Sequence, residues 1–251
     1  NAEDAKINVK INAKINMDKE QLNKYKLAGK IAAQLLNYAK KICKQEVKLI
    51  DIAEKVEEKL LMLNQKYNCN AKFAFPINIS INEIAAHYSP THNDNTLAHG
   101  LVKIDLGVHI DGFIADTALS VDLTDEQEHK ELIKANKQAL EKAIAIIKDG
   151  VSLYDIANVI ETKAKQSGFN VISNLTGHEV KQYNLHAGLT IPNVTKDIND
   201  LTLKQDQVIA IEPFFTYGVG YVRNAGPSCI FKLQEEKILR DKQCKQLLSF
   251  I

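Results

Sequence analysis

Apolar residues recur at helical spacing from 18 to 44, at Tyr25, Ala28, Ile31, Leu35, Leu36, Ala39 and Ile42. That period gives an α-helix one apolar stripe and leaves its charged residues to solvent. A second helix is predicted at about 49–66. Then the period changes. An apolar extended segment lies around Phe73–Ile81, and from Leu101 to Leu123 apolar and polar residues alternate, as in strands with one buried face. Two further helices are predicted at about 125–148 and 152–167. Strand-like runs follow at 169–175, 186–191, 207–213 and 219–232.

Helix, helix, strands thus occurs twice, and the residues repeat with it. A shift of 104 places Val47–Lys59 on Val151–Lys163 with seven of thirteen positions identical, including a shared Asp-Ile-Ala. Leu36, Ala39 and Ile42 fall on Leu140, Ala143 and Ile146 at the same shift. The pattern predicts an α/β (α+β) protein of two related halves, about 17–123 and 124–232, packed about a pseudo-twofold axis. A site between such halves draws groups from both.

Within the first half, Asp111-Gly112 interrupts the alternating run, a strong signal for a β-hairpin with a two-residue loop. Facing residue numbers then sum to 223, so Asp116 lies opposite Gly107 and Asp105 opposite Ala118. The carboxylates of Asp105 and Asp116 become diagonal neighbours on one face. Two readings are open for them: solvated edge carboxylates, or ligands of a shared divalent cation that offsets their repulsion.

Composition narrows the setting. Charged residues make up 25% of 251 and the net charge is +1, so nothing electrostatic favours nucleic acid or a membrane surface. No apolar run is long enough to span a bilayer, and the first residues lack the order of a signal peptide. Cys43, Cys69, Cys229 and Cys244 form no C-x-x-C pair and read as reduced thiols of a cytoplasmic protein. Residues 1–16 are rich in Lys, Asn and Ile and are expected to be an extension outside the fold.

Three more segments set polar residues in apolar surroundings. They are Ala85-Ala-His87-Tyr-Ser after Phe73-Ala-Phe75-Pro, Thr176-Gly-His178 with Leu185-His186-Ala-Gly, and Val208-Ile-Ala-Ile-Glu212-Pro. A single histidine on a strand is commonly a hydrogen-bonded structural residue. A carboxylate in an apolar strand is harder to dismiss, because leaving it unpaired costs several kcal/mol. Two Asp, one Glu and at least one His form an oxygen-rich set suited to Mn, Co, Fe or Zn in a two-metal hydrolytic centre.

Taken with Asn82-Glu-Ile-Ala-Ala-His87-Tyr, Lys103-Ile-Asp105, Asp116-Thr-Ala, Ile191-Pro-Asn193 and Ala210-Ile-Glu212-Pro-Phe, these blocks resemble the type II methionine aminopeptidases in their archaeal form. The blocks run in order from about Met17 to about Phe231. The resemblance implies the pita-bread fold and two divalent ions (Co, Mn, Fe or Zn), with Asp105, Asp116, His178 and Glu212 as ligands. It implies that Asp116 bridges both ions, that Glu212 moves the water proton, and that His87 contacts the substrate near its amino end. His186 is similar to the histidine that hydrogen-bonds the scissile peptide, and Phe75 to a wall of the methionine pocket. The implied activity is removal of the N-terminal methionine of nascent polypeptides, in proximity to the ribosome.

One feature of the family is absent from the pattern. Its fifth ligand, a bridging glutamate in a late strand, has no counterpart here, and the context of Glu235 and Glu236 does not resemble that strand. Residues 233–251 read as the start of an inserted helical subdomain. The chain is therefore expected to be a fragment, or half of an enzyme completed by a second polypeptide. The alternatives are a non-catalytic, partner-binding relative of the proliferation-associated type and an Xaa-Pro aminopeptidase or prolidase. His99-Gly100 also replaces the Gly-Asp usual before the metal-binding strand.

Overall fold

The structure is a computed structural model that describes residues 17–196, 198, 200–226, 230, 231, 233 and 237–250. The expected extension at 1–16, and Glu235 and Glu236, lie outside the described residues. The first helix, α1 (Lys19–Ile42), starts where the Asp18 side chain accepts the Glu20 N–H, and it ends in Lys40 and Lys41, charges that complement its dipole. Helix α2 (Leu49–Tyr67) closes on Asn68 in the left-handed conformation, with φ 47. Both helices bury the stripe the period predicts: Ile31, Leu35, Leu49, Ile52 and Val56 are fully enclosed.

The expected extended segment at 73–81 divides into β1 (Lys72–Phe73) and β2 (Asn78–Ile81), separated by Pro76. Strands β3 (Leu101–Ile110) and β4 (Phe113–Asp122) form the expected hairpin. Every pair from Leu101↔Asp122 to Ile110↔Phe113 holds the register that sums to 223. Asp111 and Gly112, with φ 51 and 83, supply the two positive φ values of a type I′ turn. β1 and β2 share one edge of β3, and β4 takes the other. Val102, Ile104, Leu106 and Val108 are fully buried on the face that meets α1 and α2, so Lys103, Asp105 and Gly107 point to the opposite face.

The second region repeats the helices and changes the strands. Helix α3 (Lys130–Ile146) starts five residues later than expected, and α4 (Leu153–Gln166) is capped by Ser152, whose hydroxyl accepts the Asp155 N–H at 3.0 Å. The repeat reaches the backbone, with residues at the helix starts 104 apart and their partners 105 apart. Leu49 N–H donates to the Thr96 carbonyl and Leu153 N–H to the Leu201 carbonyl, each at 2.9 Å. Ala98 to Val47 and Leu203 to Val151 match in the same way, each at 2.8 Å.

The strands here are short: β5 (Asn170–Val171), β6 (Gly177–Val180), β7 (Thr190–Ile191), β8 (Val208–Ala210) and β9 (Phe215–Thr216). Strand β6 lies between β7 and β8, and β5 pairs with β9. The run expected at 169–175 is a strand only over β5, and β6 was not expected. The strand expected at 219–232 is absent among the described residues. There Gly220, at φ 77, packs so tightly that a Cβ would meet the Val171 carbonyl. The segment follows 170–174 through one backbone bond, Ser173 N–H to the Gly220 carbonyl at 2.9 Å, and through side-chain bonds of Asn170, Ser173 and Asn174. A last helix, α5 (Lys242–Phe250), falls within the stretch 233–251 that the sequence reads as helical. No described helix is long and apolar enough to cross a membrane.

Candidate metal centre

The hairpin register puts Asp105 and Asp116 on one face, as the sequence predicts. β6 and the chain just past β8 bring His178 and Glu212 towards them from the second region. His178 Nε2 lies 3.3 Å from Asp116 Oδ2 and 2.8 Å from Glu212 Oε1. Ligand atoms of these three residues lie within 4.8 Å of one another. Asp105 is not within that tight cluster. It lines the same cavity of about 280 Å³, with His178, Glu212, His87 and His186. Asp116 and Phe75 stand outside the cavity lining.

The electrostatics are those of a site with surplus negative charge. Burial, and then the charges of Asp116 and Glu212, push the Asp105 carboxyl well above the usual carboxylate range. Burial opposes charge on His178, but its contacts to Asp116 and Glu212 outweigh this and raise it to about 10. Glu212 Oε1 approaches His178 closely, yet it is buried with no hydrogen-bond partner. A buried carboxylate oxygen without a donor is costly unless a cation faces it. Three carboxylates and one imidazole, of which Asp116, His178 and Glu212 face each other, fit a divalent metal of intermediate hardness.

Close backbone approaches set this geometry. Gly177 pairs with Ile191 and packs on β8, where a Cβ would overlap the Ala210 carbonyl. Only glycine therefore lets β6 bring His178 beside Ala210, its register partner. At Gly107 a Cβ would overlap the Phe75 ring, so Phe75 covers the hairpin opposite Asp116. Glu179 N–H donates to the Leu189 carbonyl and accepts Ala187 N–H at its own carbonyl, each at 2.8 Å. This loop holds the His186 ring edge-on to His178, with centroids 4.4 Å apart.

His87 is exposed in a loop with φ 65. Its neighbour Tyr88 anchors it. The Tyr88 carbonyl accepts Ile79 N–H at 2.7 Å, and its hydroxyl donates to Asp94 Oδ2 at 2.8 Å. The cavity thus gathers His87, Asp105, His178, His186 and Glu212, Asp116 joins through the tight cluster, and Phe75 stays beside the hairpin outside the lining.

Sequence reasoning gave no role to two buried amides. Asn78 is the register partner of Asp105, and Asn193 donates to the Glu212 carbonyl at 2.6 Å. Both carry a buried Oδ1 with no partner. The signal was available, since each is a polar residue in an apolar run, as Glu212 is.

The pattern of metallopeptidase family M24 matches residues 23–231, and the chain belongs to that family. Within it, the chain is 42% identical over 226 residues to the methionine aminopeptidase of Pyrococcus abyssi, covering 89% of this chain and 74% of that protein. The methionine aminopeptidase structure from Thermotoga maritima shares the pita-bread fold, with TM-score 0.69 and 28% identity over 82% of this chain and 84% of that one. A thermophilic Arx1 superposes with TM-score 0.70 over 93% of this chain and 73% of that one. At 19% identity that likeness speaks for the fold alone.

Proposed function

We propose that the chain removes the N-terminal methionine from polypeptides at a centre of two divalent ions held by Asp105, Asp116, His178 and Glu212. The observation that carries the reading is the Asp116–His178–Glu212 cluster beside a cavity that His87 and His186 also line. When bound, two such ions (Co, Mn, Fe or Zn) acidify a water towards neutrality and polarise a peptide carbonyl. The Glu212 carboxylate takes the water proton and passes it to the departing amine. His186, held against His178, donates a hydrogen bond to the carbonyl oxygen as charge develops there. His87 meets the amino end of the substrate, and the Phe75 ring forms a wall for the flexible thioether side chain. The tight cluster supplies three of the four ligands, and Asp105 joins them from the hairpin.

In this reading the catalytic body spans 17–232 and residues 233–251 open a separate helical segment. Because the substrate is a nascent chain, the site of action is the cytoplasm near the ribosome.

Metal content and hydrolysis of Met-Ala-Ser test this directly. Asp116→Ala is expected to lower metal-dependent turnover at least ~100-fold, since it removes a carboxylate that would hold the metal. Full activity after exhaustive chelation, or preferential cleavage before proline, would overturn the reading. A folded protein that takes up no metal would favour a partner-binding role instead.

A further inference from the structure

We infer that Asn193 is a positioning residue that fixes Glu212 relative to His178, and so sets the affinity of the metal centre. The inference rests on the proposed metal site but concerns a residue outside its ligands. The ladder between β6 and β8 ends at the pair His178↔Ala210. Beyond it, the chain leaves β6 and crosses to β5, where β9 pairs at Val171↔Phe215. Glu212 falls in this gap, followed by Pro213, which has no N–H to offer either sheet.

Carbonyls in such a crossing have no strand partner and must be satisfied by other means. Two asparagine side chains take them. Asn136 Nδ2 donates to the Pro213 carbonyl at 2.7 Å, and Asn193 Nδ2 donates to the Glu212 carbonyl at 2.6 Å. Asn193 does more than fill a gap. Its second proton goes to the Leu175 carbonyl at 2.9 Å, three residues before His178. One NH₂ group therefore joins the backbone of the Glu212 segment to the backbone that leads into β6. It sets the distance that the 2.8 Å approach of Glu212 to His178 depends on.

Asn193 is 1% exposed, and its Oδ1 is buried without a partner. An amide kept solely to fill space would be better replaced by an apolar side chain, because the orphan oxygen is a standing cost. What the amide supplies is two donors on one atom. Groups that orient metal ligands from behind typically change affinity or activity 10- to 100-fold when removed.

The test compares Asn193→Ala with Asn64→Ala in the full chain. Asn64 makes a similar double clamp, to Ala71 N–H and carbonyl at 2.8 and 2.9 Å, but at the end of α2, remote from the centre. Mn²⁺ binding is measured by calorimetry, thermal unfolding is followed without metal, and kcat and KM are taken on Met-Ala-Ser. Asn193→Ala is expected to weaken Mn²⁺ binding at least tenfold and to lower kcat, with KM within about twofold. Asn64→Ala is expected to lower the unfolding temperature comparably while Mn²⁺ affinity stays within about twofold. If Asn193→Ala fails to fold, Asn193→Ser keeps one donor and is expected to show an intermediate loss of affinity. Wild-type affinity in either folded Asn193 variant overturns the inference and leaves the metal reading intact. A wild-type chain that binds no Mn²⁺ overturns both.

Discussion

The two regions of this chain share their helices and differ in how they hold a ligand. In the first, Asp105 and Asp116 ride a hairpin of ten registered pairs, so the ladder alone sets their position. In the second, His178 sits on a four-residue strand and Glu212 lies past a three-residue one. Side-chain amides do there what the ladder does in the first region. Asn170, Asn174, Asn193 and Asn136 donate to the carbonyls of Gly218, Val222, Glu212 and Pro213. A ladder spreads the positioning over many bonds, whereas a bracket concentrates it in one residue. The second region is therefore the one in which a single change away from the ligands can move the centre.

The sharpest test of the shared part uses equivalent core positions. Ile52 and Ile156 are related by the offset of 104, and both are fully buried. Replacing either with alanine removes three methyl(ene) groups from a packed interior and should cost about 2–5 kcal/mol. If the repeat extends to packing, the two losses measured by urea unfolding should agree within about 1 kcal/mol. A much smaller loss at Ile156 would confine the repeat to sequence and backbone.

Two glycines probe the part that differs. Gly107→Ala drives a Cβ into the Phe75 ring, a side chain that can turn aside. Gly177→Ala drives one into the Ala210 carbonyl, so β6 and β8 themselves must part. Overpacking of this kind costs about 1–3 kcal/mol, and Gly177→Ala should lie at the upper end. Metal affinity should fall with Gly177→Ala because His178 is the next residue. With Gly107→Ala the larger change should be in KM for methionyl peptides, through Phe75. Equal effects on metal binding would dissolve the distinction between ladder and bracket.

The same distinction explains what could be read from the sequence. The helix periods, the register of the hairpin and the facing of Asp105 and Asp116 followed from local rules, because Asp111-Gly112 determines its own turn. The short strands were poorly legible. Runs at 169–175 and 219–232 look like strands, but Gly218 and Gly220 let the chain follow its neighbour without a ladder. Glu212 stood out as a carboxylate among apolar residues, and Asn78 and Asn193 carried the same signal unread. Asp105 shows the limit from the other side, since facing the right way did not bring it within the tight three-residue cluster. The positive φ at His87 depends on Tyr88, Asp94 and Ser80, contacts that no local pattern contains.

The smallest expected effect lies where the two regions touch. The hairpin tip meets the 181–184 loop: Tyr183 N–H donates to the Gly112 carbonyl at 2.9 Å, and Gln182 Nε2 to the Asp111 carbonyl at 2.8 Å. His109 braces this tip by accepting the Gly112 N–H at Nδ1 at 3.0 Å, and its ring packs edge-on to Tyr183. Burial, and then the charge of Lys72, hold His109 below its ordinary value of 6.5, with Asp111 opposing. The folded state therefore binds its proton less readily than the unfolded chain does. The stability this group contributes is present above pH 6.5 and is lost as pH falls through its lower native value. Protonation also removes the lone pair that accepts the Gly112 N–H. His109→Phe keeps a ring against Tyr183 but has neither acceptor nor proton, so it should lower stability at pH 7.5 by about 0.5–1.5 kcal/mol. Its further loss on going to pH 5.5 should be smaller than that of the wild type, because the other histidines titrate alike in both. Parallel losses would mean that the tip does not sense this proton, and that the joint between ladder and bracket rests on the Tyr183 N–H and the Gln182 side chain.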